Sequence, residues 1–234
     1  ALRYRFNVVS FEDAMFTGNK KWLIRFAEVY KKRIGIPFYC NVRPESIRPD
    51  VAELLADAGC VCASMGLESG DLELRRAILG RYMSDDLLLQ CNANLRAAGI
   101  NVRTFNMVGL PNESWTSLYR TLKMNYQLAP FGIQTSIYYP LKGTILGDQC
   151  FDDGIVDMEK FSKIKDYAFE SPLRKQKLPS WVIVAAKWIN SSFALWRGGN
   201  LRLVKDIFNM LKDKIRLDLS RFKSARGCKA VDGK

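Results

Sequence analysis

The sequence predicts an α/β protein: a parallel sheet of strand–helix repeats, open or curled into a partial barrel, followed by an α-helical C-terminal region. Strand-like runs recur at residues 4–11, 37–42, 61–67, 102–108 and 132–138, with helical patterns between them. Strand, helix, strand at that cadence gives right-handed crossovers between parallel strands. Gly59 and Gly99 stand just past two of the helical patterns, where a left-handed cap favours glycine. After Tyr139 the alternation stops and helical spacing takes over.

Each element has its own reason. Residues 19–33 place Trp22 or Leu23, Phe26, Val29 and Tyr30 on one side of a helix, and residues 49–58 do the same with Val51, Leu54, Leu55 and Ala58. Ser84 and the acids after it open a helix over 84–98, which buries Leu87, Leu88, Cys91 and Leu95. Residues 114–129 carry Trp115, Leu118, Leu122 and Tyr126 at the same spacing. Beyond Tyr139, residues 157–167, 178–196 and 201–217 read as helices. The last repeats Leu201, Val204, Phe208, Leu211 and Ile215, an amphipathic pattern suited to packing on the rest of the protein. The division that follows is a partial barrel over 1–148 and a helical, basic region over 149–234.

Composition narrows the function classes. With 234 residues, 48% of them hydrophobic, the chain can bury a substantial core. No run is long and apolar enough to span a bilayer. The absence of histidine removes the usual proton shuttle and the commonest metal ligand, so zinc chemistry and triad hydrolysis are not expected. Six scattered cysteines do not frame a disulfide scaffold, and a reducing cytoplasm is the expected compartment. Cys60 and Cys62 alternate on one strand and are expected on the same face. The net charge of +12 is uneven: from Arg197 onward eleven Lys/Arg face four Asp/Glu. That tail suits a solvated helix face; an anionic partner, a membrane surface before nucleic acid, is the second reading and would make the protein peripheral at the membrane.

In parallel α/β folds, polar residues at the C-terminal strand ends face the ligand. Those ends read Phe11-Glu12-Asp13, Asn41-Val42-Arg43, Glu68-Ser69-Gly70, Gly109-Leu110-Pro111-Asn112-Glu113 and Tyr138 through Thr144. Carboxylates accept from ribose hydroxyls or an ammonium, and arginine grips a carboxylate. The set suits a small zwitterionic, hydroxyl-bearing molecule. Trp181, Trp188 and Trp196 at helical spacing suit a core before they suit an apolar substrate channel.

The ordered stretches FEDAMFTGNKKW, CNVRPESI, AGCVCASMGLESGDLELRRAILGR, AGINVRTFNMVGLPNES and YYPLKGT resemble those of radical S-adenosylmethionine (radical SAM) enzymes. The nearest subgroup carries a cobalamin-binding domain ahead of the radical domain. The resemblance implies a partial (β/α)6 barrel, TIM-like, that reductively cleaves S-adenosylmethionine at a [4Fe-4S] cluster. It assigns the backbone of Phe11, Glu12 and Asp13 to the methionine amino group, and Glu68, with Ser69, to the ribose or amino acid portion. Arg81 falls near the methionine carboxylate, and Arg43 ends the neighbouring strand. Gly109, Leu110 and Pro111, and the turn from Tyr139 and Pro140, adjoin the adenine. It also implies a small-molecule substrate, an electron donor such as a flavodoxin or ferredoxin, and cobalamin as a further cofactor.

One departure stands out. The family's cluster loop, C-x3-C-x2-C after its first strand, has no counterpart here, so no residue of this chain is a cluster ligand by motif. The first recognisable strand corresponds to the family's second. The chain is therefore expected to be the C-terminal portion of an enzyme whose cluster loop precedes Ala1, inactive alone. The alternative is a degenerate, non-catalytic module that binds an adenosyl ligand or a partner.

Overall fold

The computed structural model describes residues 6–164, 170–174 and 176–197. Its sheet has five strands, β1 (Val9–Phe11), β2 (Phe38–Val42), β3 (Cys60–Glu68), β4 (Asn101–Val108) and β5 (Gly132–Ile137), in the order β1-β2-β3-β4-β5. Every neighbouring pair is parallel, and the sheet curls into a half-barrel. The helices are α1 (Lys20–Arg33), α2 (Pro49–Ala58), α3 (Leu72–Ala77), α4 (Asp85–Ala97), α5 (Trp115–Leu128), α6 (Ile145–Asp152), α7 (Met158–Lys163) and α8 (Ser180–Arg197).

Local chemistry sets the helix ends. The Asn19 side chain accepts from the Trp22 N–H, and Ser84 accepts from that of Leu87. Ser114 and Ser117 form a reciprocal capping box on α5. Pro49 opens α2, and Gly59 closes it at φ 101°, a conformation that a side chain would strain. Apolar residues on the convex face of the sheet, Phe38, Met65 and Val102 among them, pack under Leu23, Leu55, Leu88 and Leu95 of the helices. Phe11, Phe16, Phe26, Tyr30 and Phe38 add an aromatic cluster at the β1 edge, mostly edge-to-face at 5–6 Å.

Two register shifts on β3 matter. Phe38 pairs with Cys60 but Tyr39 pairs with Cys62, so Val61 is an extra residue that leaves the ladder. The expectation that Cys60 and Cys62 share a face is therefore corrected. Cys60 lies beside Cys40 in the core, Sγ to Sγ 3.7 Å, whereas Cys62 takes the register of Tyr39 on the other face. The second shift, between Gly66 and Glu68, ends the ladder with Glu68 at φ 60°.

The helix expected over 178–196 is α8, and it returns to the sheet. Val182 and Ile183 pack with Val108 and Ile137, and Asn190 donates to Thr135 Oγ1 of β5 at 3.0 Å. α6 runs across the division drawn at residue 148. The helical pattern over 201–217 lies outside the described residues.

Candidate functional site

The ends of β2, β3 and β4 open onto a cleft of about 380 Å³, a size that suits a small organic ligand. Asn41, Ser64, Gly66 and Phe105 line it from the concave face of the sheet, and Arg43, Glu68 and Arg81 stand around its mouth. Glu68 is buried, and its Oε1 forms an ion pair with Arg81 Nη2 at 3.1 Å. Gly66 makes that pair possible. A Cβ there would lie 2.6 Å from Glu68 Oε1 and 2.8 Å from Arg81 Nη1, inside contact distance. Burial pushes the Glu68 carboxyl above its usual range, and Arg81 draws it part of the way back.

Arg81 does not hold its position alone. Arg75, fully buried, donates to the carbonyls of Ser69 at 2.7 Å and Met83 at 3.3 Å and pairs with Asp85. It thereby ties the turn after β3 to the segment after α3 that carries Arg81. Arg76 points outward and reaches Glu73 at 4.0 Å. The three arginines after Glu68 thus act as a rivet, a surface cation and a site residue. Sequence spacing alone could not rank them, because burial decides their roles.

The other expected site residues divide. Arg43 is exposed on the rim, its Nη1 3.7 Å from Met15 Sδ. The Phe11 ring turns into the aromatic cluster, which leaves only its backbone for a ligand. Glu12 is exposed and accepts from Ser10 Oγ at 2.6 Å; Asp13 is exposed beside it, and Ala14 is the residue of that segment on the cleft wall. Ser69 points inward, where its Oγ accepts from the Asp71 N–H. Asp71 caps α3, accepts from Ser117 Oγ and pairs with Arg120 at 3.1 Å.

Neither distal loop lines the cleft. The N–H of Gly109 (φ 77°) donates to Glu113, and its carbonyl accepts from Gln176 Nε2 at 2.9 Å. Leu110 is buried in a second core with Leu74 and Tyr138, and Pro111 is half-buried. Glu113 is only 2% exposed and closes this loop rather than facing a ligand. Tyr139 stacks on Phe161, ring centroids 5.0 Å apart, and Pro140 is buried behind it. Sequence reasoning placed Asn41 at a ligand-facing strand end and missed Gly66, Phe105 and Arg75. Gly66 and Phe105 were recoverable from strand alternation, which puts them on the concave face with Ser64.

The radical SAM superfamily profile matches residues 3–124. The chain belongs to the radical SAM superfamily. It is 29% identical over 125 residues to a biotin synthase of Erythrobacter litoralis, a stretch covering 52% of this chain and 36% of that protein. This radical SAM chain therefore spans well under half the length of that curated relative. Among solved structures, coproporphyrinogen III oxidase HemN of Escherichia coli superposes with a TM-score of 0.58 at 18% identity, over 82% of this chain and 41% of its own. The radical SAM methyltransferase TsrM of Kitasatospora setae gives 0.55 at 17% identity, over 63% and 31%. At that identity the two share a fold with this chain.

Radical SAM membership implies S-adenosylmethionine and a [4Fe-4S] cluster, and the residues present fit only the first. A carboxylate seated on a glycine, two arginines and an aromatic ring match the donors and acceptors of an amino acid nucleoside. For the cluster, no three Cys, Asp or Glu gather among the described residues. Iron binds thiolate, yet the Cys40 thiol is pushed up by its hydrogen bond to Cys60 and by burial, and burial lifts Cys91 up to about 12. Cys228 lies outside the described residues.

Proposed function

We propose that the cleft at the ends of β2–β4 binds S-adenosylmethionine, and that this chain is the C-terminal portion of an enzyme acting on an unactivated carbon. Methyl transfer or oxidative ring formation is the reaction type. The observation that carries the reading is the Glu68–Arg81 pair seated on Gly66. Arg81 engages Oε1, while Oε2 has no hydrogen-bond partner among the described residues, so it is free to accept from a ribose hydroxyl or an ammonium. Arg43 on the rim is placed to meet a carboxylate, and Phe105 offers a ring face. S-adenosylmethionine supplies the adenosyl and methyl carbons for the chemistry; the protein binds, orients and shields it. The substrate, a flavodoxin- or ferredoxin-type electron donor and cobalamin belong to the same proposal.

Calorimetric titration of the chain with S-adenosylmethionine tests the site. Glu68→Gln should weaken binding by about tenfold or more, the worth of a hydrogen bond to a charged group. Equal affinity in the variant, or none in the unaltered chain, removes the assignment.

The poor fit of the described cysteines to a cluster favours a second reading, a non-catalytic adenosyl-ligand module. Anaerobic iron–sulfur reconstitution of a longer protein containing this chain separates the two. Release of 5′-deoxyadenosine supports the enzyme; ligand binding without it supports the module.

A further inference from the structure

Arg103 stands on the concave face of β4, next to Val102 on the convex face and two residues before Phe105 on the cleft wall. Its ladder partner on β3 is Ser64, also on the cleft wall, and its partner on β5 is Gly132. Arg103 thus sits at the inner edge of the cleft, about 7 Å from Phe105 along the strand. Its side chain lies along the Gly132 backbone, where an added Cβ would be 3.6 Å from Nε, and its Cζ is 6.0 Å from the centre of the Tyr39 ring. Arg75, Arg81, Arg96 and Arg120 each reach a carboxylate or a carbonyl. Arg103 is half-buried and reaches neither among the described residues. A guanidinium carries only donors, and holding one part-way out of water without an acceptor costs free energy that a bound anion recovers.

We propose that Arg103 anchors a carboxylate of the small-molecule substrate, which lies along the concave face of β4 and β5 beneath the cleft. The proposal rests on the cleft being the S-adenosylmethionine site, because that reading puts a reactive carbon above this surface. Gln134 and Ser136 are exposed on β5, in register with Phe105 and Met107, and neither has a hydrogen-bond partner among the described residues. A molecule held at Arg103 therefore meets an amide and a hydroxyl along one side and the Phe105 ring toward the strand ends. That surface suits a carboxylate on an apolar, ring-bearing body with a further polar group. Charge favours a carboxylate over a phosphate. Arg103 is the only cation among the described strand residues of that face, and one guanidinium fork matches one carboxylate, whereas a phosphate dianion calls for more positive charge.

NMR titration of the chain with phenylacetate, phenylacetamide and phenyl phosphate tests the proposal. Phenylacetate should bind at least about tenfold more tightly than its neutral amide, and Arg103→Leu should abolish the difference. The variant should melt no earlier than the unaltered chain, because no ion pair or hydrogen bond is lost with the guanidinium. Gln134→Ala probes the same surface from the neighbouring strand and should weaken phenylacetate by a smaller factor. Equal binding of acid and amide overturns the proposal, as does tighter binding of phenyl phosphate. So does a lower melting temperature of Arg103→Leu with phenylacetate binding unchanged, since the arginine is then structural. Titrating the unaltered chain with S-adenosylmethionine keeps the two readings apart. A chain that binds phenylacetate through Arg103 but no S-adenosylmethionine removes the cleft assignment and leaves Arg103 as a carboxylate site.

Discussion

Gly66 and Gly70 stand four residues apart, and each is a glycine because of what approaches it. At Gly66 the neighbours are the tips of two flexible side chains, Glu68 and Arg81. At Gly70 they are backbone: a Cβ there would meet the Arg120 carbonyl oxygen at 2.2 Å and Thr121 Cα at 2.5 Å. The two alanine variants should therefore separate stability from binding. Gly66→Ala should leave the melting temperature nearly unchanged while weakening S-adenosylmethionine binding, because the displaced carboxylate loses its geometry over the cleft. Gly70→Ala should cost about 2–3 kcal/mol in denaturant unfolding, the range of overpacking against an unyielding neighbour. A stable Gly70→Ala, or a Gly66→Ala with unchanged affinity, would count against the respective contacts. Glu68 was legible in the sequence because a carboxylate ending an apolar strand is conspicuous, whereas Arg81 was singled out from Arg75 and Arg76 only by the resemblance. The glycines beside them were not, since Arg120 approaches Gly70 from a helix fifty residues further along the chain.

At the scale of elements, the loop from Gly109 to Glu113 shows how a strand end is closed. Its acid is an internal acceptor for backbone N–H groups, buried with Oε1 left without a hydrogen bond. Burial raises the Glu113 carboxyl to about 7, outweighing the N–H groups of Gly109 and Leu110 that lower it. The sign follows. Because the folded value lies above the unfolded one, near 4.3, the folded chain holds its proton more tightly. The stability this contributes is full below the unfolded value and is lost as pH rises through about 7. Unfolding free energy should thus fall by up to about 3 kcal/mol between pH 4.5 and 7.5. Burial raises Glu68 in the same direction, so it adds to the slope. Glu113→Gln, followed by urea unfolding at several pH values, should flatten most of it; a slope as steep as the original excludes Glu113 as its source. From sequence this acid looked like another strand-end ligand. Only the loop's closure, with Gly109 at φ 77°, reveals it as a support.

For the whole molecule, the question is whether the helical part is a separate unit or a wall of the barrel. Strand order and the alternation of strands and helices were legible because periodicity is local. Where α8 goes was not, because its apolar spacing suits any apolar face. A buried chain of polar side chains answers the question. Thr104 donates to Asn125, Asn125 donates to both Asn106 and Asn190, and Asn190 donates to Thr135, linking β4, α5, α8 and β5 at 2.8–3.2 Å. Such a network in the interior is worth its full strength only while every member is paired. Asn190→Ala leaves Thr135 without its side-chain partner and takes one acceptor from Asn125, which keeps Thr104, Asn106 and the Thr121 carbonyl, and it should cost about 1–3 kcal/mol. If α8 is part of the barrel, that loss appears as an earlier but still single transition, with circular dichroism and tryptophan fluorescence coinciding. If residues 149–234 fold as their own unit, the variant instead splits the transition in two, and the sheet melts at its original midpoint. The coincident outcome is the expected one, because parallel sheets are stable only with both faces covered and α8 covers the convex face of β5.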